Sequence, residues 1–346
     1  MNAPDNNILS QQAPKPSANL TIPLQLTISI GTPACATAGP IGQTPLAIGP
    51  TVEVQAEGVP VPDFELPRSI SAYIPLLAAS YQLAAQTPFV LPDGYTRLAD
   101  VRVNGMEAVD VEATLTLEER RAIEHDRRAL VQGANWEKTE GIADPSAFGF
   151  VVREQRSGSV LISIRGTQTP AEWLADFTPV PVPFFESPSL GFVHVGFAVF
   201  YHKVRASIQA ALDNIALDTR ITVLGHSLGG AMAILCAADI KRNMGKGNVD
   251  VCTFGSPRTG KIDFRIHFDN EIAKCLRVVN ALDIVPHVPT VITGWNHVGV
   301  EVGVHGRGGS SPHSLDSYLD GLVKLSGREG NESPSVHATA MGIRTV

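Results

Sequence analysis

Residues 221–240 read ITVLGHSLGGAMAILCAADI. The apolar, β-branched run at 221–224 predicts a short buried strand, and the alanine-rich run at 231–240 predicts a helix. Between them lies GHSLG at 225–229, a G-x-S-x-G pattern. Strand, pattern and helix in this order predict a sharp turn that carries Ser227 at its apex, where the serine can act as a nucleophile.

The outer glycines of this pattern have a physical reason. A side chain at Gly225 or Gly229 would collide with the strand or the helix, because the turn brings the two close together. The turn holds Ser227 in a strained conformation and lifts its hydroxyl above the sheet. Since a helix N-terminus directs free N–H groups at a developing anion, Leu228 N–H is predicted to be one oxyanion donor.

The composition limits the class of protein. The 346 residues are 44% hydrophobic and 18% charged, with a net charge of −7, which argues against nucleic acid as a partner. No apolar stretch is long enough to span a bilayer. The first residues lack a basic segment followed by an apolar core, so we expect a cytoplasmic protein. The four cysteines are too few for a disulfide scaffold and have no zinc-site spacing.

The chain divides into three regions. Residues 1–19 are polar, contain two prolines and have no periodicity, which predicts disorder. Residues 20–63 contain two stretches of alternating apolar and polar residues, which predict a β-rich extension. This extension is expected to dock on the main domain or on a partner, and one hypothesis is that it forms a homo-oligomer. The main domain is predicted to cover 64–346.

Strands alternate with helices through the main domain, which predicts a mainly parallel sheet flanked by helices. Pro75 is expected to kink the first helix or to mark a first turn. The predicted helices are 67–86, 116–131 and 195–214. The predicted strands are 148–153, 159–165, 221–224, 250–254, 276–279 and 298–304.

A serine nucleophile needs a base and a carboxylate that orients the base. In parallel sheets such groups lie beyond the carboxyl ends of strands, and the expected chain order is serine, acid, histidine. Asp283 follows the strand that ends at Val279 and is the preferred acid. The other aspartates lie in helices or at the wrong strand end: Asp239, Asp250, Asp263 and Asp269.

His313 is the preferred base, because it precedes an amphipathic helix that can hold an imidazole in place. His305 is the alternative, but the glycine-rich loop around it is a poorer support. His297 is expected to be a structural hydrogen-bonding residue. A second oxyanion donor is expected where the strand at 159–165 ends in Gly166-Thr167, and Thr167 offers both an N–H and a hydroxyl.

Taken together, these motifs resemble the class 3 lipases, the fungal-type triacylglycerol lipase family of the α/β-hydrolase fold. The resemblance covers about 140–316, and it implies Ser227, Asp283 and His313 as the triad with Thr167 and Leu228 as the oxyanion hole. The N-terminal 60 residues match nothing in the family. The matching segments are ISIRGTQTPAEWLADF at 162–177, VHVGF at 193–197, the turn at 223–231, TFGSPRTG at 253–260, NALDIVPHVP at 280–289, NHVGVEV at 296–302 and HSLDSYL at 313–319.

The resemblance also implies a lid over the site, formed by a short amphipathic helix at about 169–177. Its apolar members would be Trp173, Leu174 and Phe177. The apolar, proline-rich run at 179–185 would continue this surface, and an exposed apolar patch of this kind suits a lipid–water interface.

The predicted function is therefore a serine carboxylic-ester hydrolase that acts on acyl glycerols or related lipid esters through an acyl-enzyme. This chemistry requires no metal or organic cofactor. A phospholipase A1 or a short-chain carboxylesterase is the alternative, and a non-catalytic lipid-binding protein is a more remote one.

Overall fold

A computed structural model describes residues 66–103, 144, 146–167 and 179–327. Several predicted features therefore lie outside the described residues. One of them is the β-rich extension on which the hypothesis of self-association depends. These features are the disordered segment 1–19, the β-rich extension 20–63, the helix at 116–131 and the lid helix at 169–177.

Eleven strands are present in the described part of the chain. Six of them match the predicted runs to within two residues at each end, and the other five were not predicted. The strands are β1 (Tyr95–Arg102), β2 (Ala147–Glu154), β3 (Val160–Ile164), β4 (Pro181–Pro183), β5 (Phe192–His194), β6 (Ile221–His226), β7 (Val249–Phe254), β8 (Gly260–Lys261), β9 (Lys274–Asn280), β10 (Trp295–Asn296) and β11 (Val300–Val304).

Seven of these strands form one sheet in the order β1-β2-β3-β6-β7-β9-β11. The five strands from β3 to β11 are parallel, whereas β1 and β2 add an antiparallel edge. The parallel prediction is therefore confirmed for the centre of the sheet. Because parallel strands end at one edge, the loops after β3, β6, β7 and β9 come together there.

Six α-helices cover the sheet within the described ranges. The helix predicted over 67–86 is two helices, and Pro75 lies in the first turn of the second, where a missing N–H costs no hydrogen bond. The helices are α1 (Leu66–Ser71), α2 (Ile74–Ala84), α3 (Val195–Leu212), α4 (Leu228–Asn243), α5 (Ile262–Glu271) and α6 (Leu315–Leu325).

The core lies in two layers, one on each face of the sheet. One layer packs α3, α4 and α5 against the sheet and includes Val223, Met232 and Phe264. The other packs α1, α2 and α6 and includes Leu77 and Tyr318. Cys236, Cys252 and Cys275 are buried and form no disulfide, so these three pack as small core residues.

Four short strands form a second sheet in the order β10-β8-β5-β4. In β4, Val182 is fully buried, and the next alternate residue, Phe184, is buried as well. The expectation that the apolar run at 179–185 lies exposed is therefore wrong for these two side chains. The strand alternation turns them into the core and leaves Pro181 and Pro183 outward.

Candidate active site

The turn between β6 and α4 has the predicted strained geometry. Ser227 lies between the end of the strand and the first residue of the helix, with φ of 58° and ψ of −129°. A positive φ is costly for a residue that carries a Cβ, typically about 1–3 kcal/mol, and it persists only where the surroundings hold it. The Ser227 N–H donates to Phe254 O at 2.9 Å, and its carbonyl accepts from Gly230 N–H at 2.9 Å.

Close packing explains the two outer glycines of the turn. A Cβ at Gly225 would lie 2.1 Å from Gly229 O, and a Cβ at Gly229 would lie 2.4 Å from Ile164 O. Both distances are far below van der Waals contact, so the predicted collisions are confirmed. The helix can reach this close to the strand because neither residue carries a side chain.

Asp283 lies three residues beyond the end of β9, at the carboxyl edge of the sheet. Its Oδ1 accepts from Val285 N–H at 2.9 Å, and its Oδ2 accepts from two side chains. Burial by itself would raise the pKa of Asp283. The hydrogen bonds from His313, Tyr318 and Val285 outweigh this effect and lower its pKa below the usual value, so the carboxylate stays charged.

His313 is the histidine that the structure places on Asp283. Its Nδ1 lies 2.6 Å from Asp283 Oδ2. It directly precedes Ser314, whose side chain caps α6 by accepting from Ser317 N–H. The buried Asn280 side chain donates to Pro312 O at 2.8 Å and so holds the residue before the histidine. The alternative, His305, is exposed.

Ser227 Oγ and His313 Nε2 are both buried, and neither makes a hydrogen bond within the described ranges. The residue before Ser227 contacts this histidine, because the ring of His226 lies 4.7 Å from the ring of His313, centroid to centroid. In free enzymes, hydrogen bonds between a nucleophile and its base are often loose and tighten when substrate binds.

Tyr318 lies in α6, and the sequence patterns gave it no role at the site. Its hydroxyl donates to Asp283 Oδ2 at 2.6 Å. Burial and the neighbouring Asp283 raise the pKa of Tyr318, so it keeps the proton that it donates. Gly255 was also missed, and a Cβ there would lie 2.9 Å from Asp283 Oδ2, His313 Cε1 and Tyr318 Oη. The signal for Tyr318 was its burial, because a buried tyrosine hydroxyl needs a partner.

The two expected oxyanion donors directly follow Ser227 and Gly166 in the chain, and a Cβ at Gly166 would lie 2.6 Å from Ser227 Cβ. Leu228 is the first residue of α4, so its N–H has no acceptor in a preceding turn. Thr167 follows β3, and its buried hydroxyl makes no hydrogen bond among the described residues. Arg165 braces this turn by donating to Gly166 O at 2.8 Å and to Ala147 O at 2.7 Å.

His297 has the structural role that was expected. Its Nε2 lies 2.8 Å from Pro286 O, so this nitrogen carries the proton and ties β10 to the loop after Asp283. Burial and the nearby Arg277 lower the pKa of His297 to about 3. The imidazole is therefore neutral at any working pH.

Four large apolar side chains lie exposed on the loop that follows β9, and we call them together the apolar rim. Ile292 is 93% exposed and Ile284 is 67% exposed. Thr290 and Lys261 hold the loop, because Thr290 Oγ1 accepts from Ile292 N–H and Lys261 Nζ donates to Thr293 O at 2.6 Å. The rim comprises Leu282, Ile284, Val291 and Ile292.

The lid residues Trp173, Leu174 and Phe177 lie outside the described residues. Their assignment stays a prediction. Within the described ranges, no helix has the length and apolarity needed to cross a bilayer.

Ser227 lies in a strained turn between strand and helix, and a parallel sheet flanked by helices is the fold of the α/β-hydrolases. The family model described as lipase (class 3) matches residues 161–293. Over this region, the chain is similar to the class 3 lipases.

Similar proteins are lipases and phospholipases. The chain is 32% identical to a lipase of Rhizomucor miehei over 194 residues, which is 50% of this chain and 53% of that one. It is 32% identical to phospholipase A1-II 4 of Oryza sativa subsp. japonica over 234 residues, 57% of each chain. The chain thus covers only about half the length of these relatives.

Solved structures show the same fold. A Rhizomucor miehei lipase in a propeptide complex matches with a TM-score of 0.52 and 26% identity, over 70% of this chain and 67% of that one. A lipase from Rhizopus microsporus var. chinensis matches with a TM-score of 0.52 and 20% identity, over 80% and 94%. The α/β-hydrolase prediction is confirmed.

The lowered pKa of His297 predicts how the free energy of unfolding depends on pH. In the unfolded chain its pKa is about 6.5, and in the folded chain it is about 3, so the unfolded chain binds the extra proton between these values. The free energy of unfolding should therefore decrease as the pH falls from 6.5 toward 3, by at most about 1.4 kcal/mol per pH unit for one histidine.

Replacement of His297 by glutamine removes the titratable imidazole and leaves an amide that can still donate to Pro286 O. Urea unfolding of wild type and His297→Gln should show the same dependence above pH 6.5 and a shallower decrease below it in the variant. Parallel curves over the whole range would contradict a neutral, buried His297.

Proposed function

We propose that this protein is a serine carboxylic-ester hydrolase that acts on lipid esters through an acyl-enzyme. One observation carries the proposal: His313, which makes a hydrogen bond of 2.6 Å to Asp283, packs its ring 4.7 Å from that of His226, the residue before a serine in a strained strand-to-helix turn. The chain order of serine, aspartate and histidine supports it, because hydrolases of this fold use that order.

In the proposed mechanism, Ser227 Oγ attacks the ester carbonyl while His313 Nε2 takes its proton. Asp283 fixes the imidazole through Nδ1 and stabilises the imidazolium that forms. His313 then protonates the leaving alcohol, and an acyl group remains on Ser227. Water, activated by His313, hydrolyses the acyl-enzyme.

The negative charge on the carbonyl oxygen would be stabilised by Leu228 N–H and by Thr167. Each oriented donor typically contributes about 3 kcal/mol to transition-state stabilisation. The site lies at the carboxyl edge of the sheet, where the Thr167 hydroxyl and Ser227 Oγ are both buried and water is largely excluded. Electrostatic interactions are stronger in such surroundings than in water. The steps require no metal or organic cofactor.

The apolar rim supports a lipid ester rather than a small soluble ester. Isolated exposed apolar side chains are common, but the loop that follows β9 exposes four of them, which suits contact with an acyl chain or a lipid surface. The similarity to the Oryza sativa enzyme, whose name is phospholipase A1, supports that activity as the second candidate.

The nucleophile can be tested with p-nitrophenyl esters of short and long acyl chains. Ser227→Ala should lose at least about a thousandfold in kcat with both, because the remaining groups cannot form the acyl-enzyme. Asp283→Asn should retain the fold and also lose most of the activity. Hydrolysis that persists in Ser227→Ala would overturn the assignment of the nucleophile.

A comparison of emulsified triolein with phosphatidylcholine then separates lipase from phospholipase A1. Release of fatty acid from one substrate alone assigns the class. Activity confined to soluble short-chain esters would instead identify the short-chain carboxylesterase.

The role of the rim can be tested by Ile292→Ser. The side chain is almost fully exposed, so this substitution should change the stability by less than about 0.5 kcal/mol. Hydrolysis of an emulsified long-chain ester should decrease roughly tenfold, because burial of an isoleucine in an apolar phase contributes about 1.5–3 kcal/mol. Hydrolysis of a soluble short-chain ester should not change.

Leu217→Ser is the matched control. Leu217 is 64% exposed but lies before β6, at the opposite edge of the sheet. Equal losses in both variants, or none in Ile292→Ser, would contradict a lipid-contacting role for the rim.

A further inference from the structure

We propose that Tyr81 and His226 are positioning residues, which form an uncharged hydrogen-bonded bridge between the oxyanion turn at Gly166-Thr167 and the main chain of His313. This inference rests on the proposed hydrolase function, because it concerns the alignment of that reaction. Neither residue is part of the triad, and neither was singled out by the sequence patterns.

The bridge consists of three consecutive hydrogen bonds. Gly166 N–H donates to Tyr81 Oη at 2.9 Å. Tyr81 Oη lies 2.7 Å from His226 Nδ1, and His226 Nε2 lies 2.9 Å from His313 O. The chain of bonds therefore begins one residue before Thr167, passes the residue before Ser227 and ends on His313.

The direction of each bond is fixed by its partners. A carbonyl oxygen can only accept, so His226 Nε2 must carry a proton and donate to His313 O. Burial, and next the neighbouring His313, lower the pKa of His226 to about 3, so the ring is neutral and its Nδ1 must accept. Tyr81 then donates to Nδ1 and accepts from Gly166. Burial raises the pKa of Tyr81 to about 12, so it keeps its proton.

The neutral state of His226 matters because of the ring that it contacts. The two imidazoles are 4.7 Å apart, with an angle of 32° between their planes. When His313 takes the serine proton it becomes a cation, and a second cation at this distance would destabilise it. A neutral His226 offers its ring face to the imidazolium instead. Besides Tyr81 and His313, the titratable groups facing His226 are Tyr318, whose ring lies 6.2 Å away, and the more distant Asp283.

The position of Tyr81 is fixed by the helix that carries it. It lies on α2, and the preceding residue, Ser80, bonds to Ser163 Oγ on β3 at 2.8 Å. Tyr81 is also close to the nucleophile, because a Cβ at Gly166 would lie 3.0 Å from Tyr81 Oη and 2.6 Å from Ser227 Cβ. A helix that is held on β3 thus sets the position of the oxyanion turn relative to both Ser227 and His313.

The test is the kinetics of Tyr81→Phe with a soluble p-nitrophenyl ester. The substitution removes one oxygen and leaves the ring packing. We expect kcat to fall by about tenfold to a hundredfold, because small displacements of reacting groups have effects of this size, while KM changes by less than about twofold.

Tyr73→Phe is the matched control. Tyr73 directly precedes α2 and is partly buried near Asp250 and Arg220, at the far end of the helix from the site. Its kinetics should equal those of wild type.

The pH profile separates this role from a merely structural one. The Tyr81 hydroxyl stabilises neutral His226, so its loss should raise the pKa of His226 from about 3, and protonation of His226 should then add a second, steeper fall of kcat/KM on the acid side. In the double variant Tyr81→Phe/His226→Gln, no group titrates at position 226, and this second fall should disappear. A structural loss would lower the whole profile without adding a second fall.

The possible results are distinguishable. If Ser227→Ala is inactive and Tyr81→Phe behaves like Tyr73→Phe, the bridge is wrong and the proposed function stands. If Ser227→Ala remains active, the proposed function fails first. Nitrogen-15 histidine spectra of Ser227→Ala provide a readout that needs no turnover, with the resonance assigned through His226→Gln. A neutral Nε2–H ring at about pH 6 supports the bridge, and a protonated or Nδ1–H ring overturns it.

Discussion

The hydrogen bond between His313 Nδ1 and Asp283 Oδ2 is the interaction on which the site depends. The carboxylate is taken out of water, and its charge is maintained only because the hydroxyl of Tyr318 and the N–H of Val285 also donate to it. The imidazole is held from the other side, since Asn280 fixes the residue before it and α6 begins two residues after it. Removal of the His313 or Tyr318 side chain would leave a buried charge incompletely paired, which typically costs several kcal/mol.

The strained backbone of Ser227 is stabilised by packing around it rather than by its own contacts. Gly225 and Gly229 let β6 and α4 approach until no Cβ fits between them, and Gly166 and Gly255 do the same for the neighbouring loops. A large core on both faces of the sheet holds these elements together. The geometry of the reacting groups is therefore set by the fold, and this is the condition under which oriented donors stabilise a transition state without further rearrangement.

Much of this site could be predicted from the sequence, because its main residues lie at strand ends that carry clear patterns. The apolar run before Ser227 and the strand before Asp283 placed both residues at one edge, and the amphipathic helix after His313 identified it over His305. The Tyr81–His226 contact could not be predicted, since it joins residues 145 positions apart and leaves no local pattern. The second sheet was missed because its strands are two or three residues long, and for the same reason the burial of Val182 and Phe184 was not foreseen.

The central claim is that Ser227 is a nucleophile activated by His313 and Asp283. Covalent labelling with a fluorophosphonate, followed by mass spectrometry of the intact chain and its peptides, tests it most directly. The account predicts a single adduct on Ser227 that forms quickly in wild type and very slowly in His313→Ala, because a serine hydroxyl without its base is a poor nucleophile. An unlabelled chain, or an adduct on another residue, would contradict it.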